Sequence, residues 1–325
     1  MMPTDAVVAV TFRCNCRCAM CNIWRLPPGR ELPPDAYRRL PRSLRDVNIT
    51  GGEPFLRDDI EEILGAVREA CPRARIVVST NGLLTRKIRQ TVRHIARHDS
   101  RLGLAVSIDG IGPVHNRIRG VEGAYDRARR TVDLVREEGL RNLRLAFTAT
   151  PENVDQLAAV YDLSRELGVE FTLALAHASE HYFHSCDSFA LPPGMLKDQV
   201  AHVIAGEMRG WSLKRWARAY FLHGAVQFSL GLGRPLPCRA GEEMFFLSPE
   251  GDVYPCNVFS ARMGNLEAQE FSALWHSPEA GEVRRRLAHC RHGCWMVCSA
   301  RTAMRRHWPK VAGWILRCKL LGRCA

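Results

Sequence analysis

The chain has 325 residues, 46% hydrophobic and 25% charged, the balance of a soluble globular protein of about two domains. That excludes a disordered tail or a collagen-like fibre. The longest uncharged stretch, Ala219 to Gly233, is interrupted by His223, Gln227 and Ser229, so no run reaches the about 20 apolar residues of a membrane span. The formal net charge is +12, and residues 283–325 carry 11 Lys/Arg and no acid, which leaves the rest near neutral. The opening MMPTDAVVAVTFRC lacks the basic and apolar regions of a signal peptide. Its 13 cysteines are therefore expected in the cytoplasm, binding metal or doing redox chemistry rather than pairing.

Over the first 180 residues short β-rich runs alternate with helical patterns. The strands are expected at Ala6–Thr11, Asp46–Thr50, Arg75–Thr80, Leu102–Ile108, Leu143–Thr148 and Val169–Leu175, rich in Val, Ile, Leu and Phe as buried parallel strands are. Helices are expected at Asp35–Leu44, Asp58–Ala70, Thr85–Arg97, Ala124–Glu138 and Val154–Leu167, with Gly139 and Gly168 closing two of them. Six βα repeats predict an α/β fold, a partial (β/α)6 TIM-like barrel, with its chemistry at the loops after the strand C-termini. The rhythm stops near His181, and Leu191-Pro-Pro-Gly194 marks a break. Residues 181–237 read as a helical linker. Within it Met195–Gly231 forms one or two helices packed through Trp211, Trp216 and Phe221, ended by Pro235 and Pro237. Residues 238–300 form a small α+β cysteine-rich domain, and 301–325 a basic tail.

Cys14, Cys18 and Cys21 follow the first strand, spaced by three and then two residues. Three thiolates on one loop hold three irons of a [4Fe–4S] cube and leave the fourth open to a ligand. The competing reading is a zinc loop using Cys16, which would crowd a tetrahedral ion. After the second strand comes Gly51-Gly52-Glu53-Pro54. The glycines let backbone approach a ligand closely, and Glu53 is expected to point into the barrel mouth. The plain alternative is a strand–helix turn with an acid near the helix N-terminus.

Together CxxxCxxC and GGEP resemble the signature of the radical S-adenosylmethionine (radical SAM) enzymes. The resemblance extends to STNG (Ser79–Gly82), SIDG (Ser107–Gly110) and HNRIRG (His115–Gly120), and spans about Val7 to Leu175. Met20 departs from the aromatic many members carry before the third cysteine. The resemblance implies that Cys14, Cys18 and Cys21 bind the cluster and that SAM chelates its open iron. It implies that Gly51, Gly52, Glu53 and Pro54 hold the SAM amine, with Ser79, Asn81, Ser107 and Asp109 lining the same mouth. Taken singly, each of these four is equally well a buried polar residue satisfying a strand end. One electron, from a donor such as flavodoxin or ferredoxin, would cleave SAM to a 5′-deoxyadenosyl radical that takes a hydrogen atom from the substrate.

Cys238 and Cys256 flank a hairpin pattern, Met244–Leu247, a Pro-Glu-Gly-Asp turn and Val253–Tyr254. Cys290, Cys294 and Cys298 follow. With Gly264–Ala280 between them, these cysteines resemble the SPASM or twitch auxiliary-cluster domain. A full SPASM domain has seven cysteines and this region five, so one auxiliary [4Fe–4S] cluster is expected, on Cys238, Cys256 and two of the last three, with Cys294 and Cys298 favoured. Zinc on the same thiolates is the bland alternative. Cys318 and Cys324, like Cys16, Cys71 and Cys186, read as ordinary thiols.

In the tail, Arg301, Arg305, Arg306, Lys310, Arg317, Lys319 and Arg323 alternate with Trp308, Val311, Trp314, Ile315, Leu320 and Leu321. This reads as a basic amphipathic helix interrupted by Pro309. It suits a helix packing its Trp face on the core, an anionic membrane surface that the protein would meet peripherally, a phosphate on the substrate, or an acidic leader peptide. Nucleic acid is disfavoured, because no basic-and-aromatic RNA module is present. The expected substrate is a small polar, sugar or lipid-linked molecule, oxidised or epimerised. The alternative is a ribosomally made precursor peptide, disfavoured because no winged helix is expected ahead of the first strand. The rival of another class is a non-catalytic iron–sulfur electron carrier.

Overall fold

The structure, a computed structural model, describes residues 1–185, 189, 191, 194–290 and 294–322. Cys186, Pro192 and Pro193 of the Leu191–Gly194 break, Arg323 and Cys324 lie outside the described residues. Six parallel strands form the core: β1 (Asp5–Ala9), β2 (Asp46–Thr50), β3 (Arg75–Thr80), β4 (Leu102–Ser107), β5 (Asn142–Ala149) and β6 (Glu170–Leu175). They lie side by side in chain order, as successive right-handed βα units do. Their outward residues, such as Val8, Ile49, Val78, Leu104, Leu145 and Phe171, are buried. Over them pack α1 (Ile60–Ala70), α2 (Thr85–Ala96), α4 (Ala124–Glu137) and α5 (Leu157–Glu166). The architecture is the expected partial (β/α)6 barrel.

Inward positions are different. Val7, Asn48, Val77, Ala105, Ala146 and Thr172 are too small to fill the barrel, and a cavity of about 330 Å3 runs through it. At its base Asp5, Asp46 and Arg75 stand in register on β1, β2 and β3.

The sheet does not end with the barrel. β7 (Met244–Leu247) pairs parallel with β1, and β8 (Asp252–Tyr254) and β9 (Gly264–Asn265) continue it antiparallel. Then come α8 (Phe271–Trp275), α9 (Pro278–Ala288), α10 (Val297–Arg306) and α11 (Trp308–Leu321). Between barrel and hairpin lie α6 (Met195–Met208) and α7 (Leu213–Ser229).

Several features differ from expectation. Residues 35–44 form only a 3-10 segment, Pro34–Arg39. Pro41 holds Leu40 extended (ψ 144°), since the residue before proline is driven out of the α region. A short helix, α3 (Pro113–Arg119), takes in HNRIRG up to its closing Gly120. Trp211 does not pack into the core: it sits in the α6–α7 turn, edge-on to Trp216, and is 88% exposed. Pro309 does not interrupt a helix but lies in the first turn of α11, where its missing N–H costs nothing. The break falls at His307, so the tail is two helices. Arg301 and Arg305 of α10 are not a free basic face: both pair with Asp5 and Asp46.

Candidate active site

The loop after β1 crosses the barrel mouth and is fastened on both sides. On one side Gly52 N–H donates to Thr11 O at 2.8 Å and Glu53 N–H to Arg13 O at 2.8 Å. On the other, Arg17 N–H donates to Arg119 O at 2.9 Å and Ala19 N–H to Ile118 O at 3.0 Å, so the end of α3 clamps the loop. Asn22 N–H donates to Phe183 O at 2.9 Å. Between these fastenings the thiols of Cys14, Cys18 and Cys21 face the cavity.

The glycines of GGEP answer to this packing. A Cβ on Gly51 or Gly52 would land on the carbonyl oxygen of Thr11 or Arg13, and Gly51 has φ 134°. Both line the cavity beside the cysteines. Such a cradle brings backbone amides and carbonyls, rather than side chains, against a ligand.

Glu53 differs from expectation. It lies beneath the mouth, wholly buried, as the N-cap of a short 3-10 turn begun by Pro54. Its carboxylate accepts from Phe55 N–H (3.1 Å), Thr80 Oγ1 (2.8 Å) and Asn81 N–H (2.7 Å). Burial raises its pKa to about 7. Its first task is to tie the β2 loop to the β3 loop.

Ser79, Asn81 and Ser107 line the cavity. Ser79 Oγ donates to Asn48 Oδ1 at 2.9 Å, and Asn81 Nδ2 to Asn15 Oδ1 at 2.6 Å. Asp109 does not line it. It is buried behind the mouth, accepting from Thr148 N–H at 2.8 Å and pairing with Arg119 at 2.6 Å. Arg119 takes its place at the cavity wall and reaches Cys18 Sγ at 3.7 Å. Cys16 is buried between its neighbours, its thiol kept protonated by hydrogen bonds to Cys14 and Cys18. Those contacts, with Arg119 behind them, lower Cys18 to about 7, whereas burial pushes Cys21 up to about 12.

Sequence reading quoted HNRIRG without assigning Arg119; the helical register of α3 was the signal that could have found it. It also missed polar groups on the far wall. His177, just beyond β6, and Asn257, just after Cys256, line the same cavity, and His177 Nε2 and Asn257 Oδ1 are buried without a hydrogen-bond partner. Burial lowers His177 to about 4, so it is neutral.

The second set of cysteines converges as well. Cys238, Cys256, Cys290, Cys294 and Cys298 ring one small, largely apolar cavity with Ala240, Val258, Leu287 and Met296. Backbone amides point at the sulfurs: Ala240 N–H at Cys238 (3.4 Å), Val258 and Phe259 N–H at Cys256 (3.5 and 3.3 Å). Arg234 donates to Cys294 Sγ at 3.3 Å. Burial raises Cys294 to about 11 and Cys298 to about 12. Cys298 alone of the five also lines the barrel cavity. Cys318 is buried in α11 in the main core, and Cys71 donates to Pro41 O at 3.5 Å, so neither joins a set. Among the described residues no three His, Cys, Asp or Glu side chains close on a single point as ligands of one ion. The thiols line cavities instead, three beside the open barrel mouth and five around an apolar pocket, donor sets whose chemistry suits iron–sulfur clusters.

Comparisons with known proteins agree with this geometry. A model of the radical SAM superfamily matches residues 8–164, and one of an iron-sulfur cluster-binding domain, SPASM, matches residues 238–299. The antilisterial bacteriocin subtilosin biosynthesis protein AlbA of Bacillus subtilis is 24% identical over 294 residues, which cover 85% of this chain and 60% of AlbA. Pre-heme d1 synthase of Dinoroseobacter shibae is 27% identical over 338 residues, 91% of this chain and 80% of that protein. The structure of anSMEcpe with bound AdoMet and Cp18Cys peptide shares the fold, with TM-score 0.61 and 14% identity over 97% of this chain and 99% of that one.

Fold and thiol sets define an iron–sulfur enzyme built on a partial barrel. The chain belongs to the radical SAM superfamily and carries a SPASM domain, so its cofactors are SAM, a [4Fe–4S] cluster and auxiliary iron–sulfur.

Proposed function

We propose that this enzyme oxidises a peptide after hydrogen-atom abstraction. The observation that carries the reading is Cys298, which belongs to both thiol-lined cavities. It puts the second thiol set against the space where a substrate would sit. Cys14, Cys18 and Cys21 would hold the core cluster. The Gly51–Gly52 cradle, Ser79, Asn81 and Ser107 would hold SAM, with Glu53 fixing the cradle from below. Cys238, Cys256 and two of Cys290, Cys294 and Cys298 would hold one auxiliary cluster. When bound, these groups supply a hydrogen-abstracting 5′-deoxyadenosyl radical on one side and an electron acceptor on the other.

The protein's own residues then position and shield. His177 and Asn257 offer unengaged polar atoms to a substrate backbone. Tyr182, whose hydroxyl is 2.8 Å from Thr50 Oγ1, and Phe183 wall the cavity near Cys21. Similarity to AlbA and to a structure holding a peptide supports the peptide class.

One observation favours a second reading, a small acidic molecule. Arg75, Arg144 and Arg301 line the cavity base, and Arg144 Nε has no hydrogen-bond partner. Burial lowers Arg144 to about 10, which leaves it charged at neutral pH. The near full-length match to pre-heme d1 synthase supports it.

The test is iron and sulfide per chain after anaerobic reconstitution, together with 5′-deoxyadenosine formed from SAM and dithionite. About eight irons are expected, falling to about four with all 5′-deoxyadenosine lost in Cys14/Cys18/Cys21→Ala. About four irons falling to none would remove the auxiliary cluster, and with it the oxidation.

A further inference from the structure

The α6–α7 turn and the end of α11 form one surface. Lys319 of α11 donates to Met208 O at 2.6 Å and Gly210 O at 2.9 Å, and its ammonium lies 5.1 and 4.9 Å from the ring centres of Trp211 and Trp216. Around this clip the surface is apolar and open: Trp211, Leu213, Leu316 and Leu320 are 60–88% exposed. Large side chains in that number on one face are uncommon on a soluble protein.

Beside the turn lies a pocket of about 320 Å3 lined by Arg165, Arg209, Arg215, His202, Asp162 and Tyr161. Asp162 is engaged by His202 at 2.8 Å, and Arg215 by Glu207. Among the described residues Arg165 and Arg209 have no carboxylate partner. The pocket is therefore a cationic recess with two free guanidiniums, a chemistry that takes phosphate oxygens.

We propose that this face docks the enzyme on an anionic phospholipid surface. A headgroup phosphate enters the Arg165/Arg209 pocket, and Trp211, Leu213, Leu316 and Leu320 seat at the acyl boundary. Tryptophan beside arginine and lysine is the composition that settles at such an interface. No described helix is long and apolar enough to cross a membrane, so the contact is peripheral. A second copy is a poorer occupant, because a two-fold contact would set Arg165, Arg209 and Arg317 against a like-charged face. The membrane face is thus not the basic tail as sequence alone drew it. Arg301 and Arg305 are held by Asp5 and Asp46, and α5, the α6–α7 turn and α7 add cations and apolar tips to those of α11.

The test is co-sedimentation of the anaerobically reconstituted full-length protein with vesicles. One set is phosphatidylcholine alone, and the other has a one-third share of phosphatidylglycerol. Pelleting is expected only with the second. Arg165→Gln/Arg209→Gln should lower partitioning on the order of tenfold to thirtyfold, from about one kcal/mol per cation. Trp211→Ser/Leu213→Ser/Leu320→Ser should abolish it, with wild-type iron content in both variants showing an intact fold. Wild type that stays in the supernatant, or pelleting unchanged in either variant, overturns the proposal. So does thermal stabilisation by inorganic phosphate without any vesicle binding, which would mark a free-anion site. A concentration-dependent dimer in sedimentation velocity that Trp211→Ser abolishes would mark a self-association face and overturn it too.

Discussion

His115 shows how one buried residue sets a pH response. It is wholly buried in α3, its Nδ1 accepts from Asp109 N–H at 2.9 Å, and its Nε2 has no partner. Burial, reinforced by Arg119, lowers its pKa to about 3, against about 6.5 in an unfolded chain. Between those values the unfolded chain takes up a proton that the folded one refuses. The stability His115 lends is therefore complete above pH of about 6.5 and drains as pH falls toward 3, by about 1.4 kcal/mol per pH unit. His115→Asn keeps an acceptor for the Asp109 amide and removes the titration. Urea midpoints of wild type and variant should converge as pH drops from 7 to 5; parallel lines would refute the assignment. Glu53, raised by burial to about 7, pulls the other way in both proteins and cancels in the comparison.

Among the elements, α10 shows what sequence could and could not reveal. Arg301 and Arg305 are one helical turn apart in a run without acids, and alone they read as a solvated stripe. Their partners begin β1 and β2, about 300 and 260 residues away. Arg301 Nε lies 2.6 Å from Asp5 and Nη1 3.5 Å from Asp46; Arg305 lies 3.0 Å from Asp5 and also pairs with Asp46. Burial alone would raise Asp46, but Arg301, Arg75 and Arg305 outweigh it and hold it below the usual carboxylate range. The strands were legible because their outward faces are runs of Val, Ile and Leu, and the thiol sets because their spacing is local. The ionic plug, Arg119 behind Cys18, and the pairing that took Asp109 out of the mouth rest on tertiary contacts no local pattern encodes. Breaking the plug tests it. Asp5 is wholly buried, so Arg301→Met should cost on the order of 3 kcal/mol by urea unfolding. Asp5→Asn/Arg301→Met should cost clearly less than the two single changes added. Strict additivity would mean the pair does not act as one unit.

At the scale of the whole molecule, the composition break at Pro235 and Pro237 does not part the structure. β7 adds to β1 in parallel, pairing Asp5 to Val8 with Met244 to Leu247. Thr4 N–H donates to Glu243 O at 2.9 Å, and Trp275 Nε1 donates to Met1 O at 3.0 Å. β1 is thus a central strand only because residues beyond 238 cover its free edge. Its inward Val7 and Ala9 share a hydrophobic cluster with Phe246, and among the described residues its first residue, Asp5, is paired with cations of α10 alone. A fragment of residues 1–237 would leave that edge unpaired, Phe246 missing from the cluster and a buried carboxylate without a cation. We expect it to melt without a cooperative transition by circular dichroism and to be cut by trypsin within β1–β2, where the full chain resists. A fragment that melts sharply near the full-length temperature would show instead that the barrel folds alone and that the cysteine-rich segment is added to a finished core.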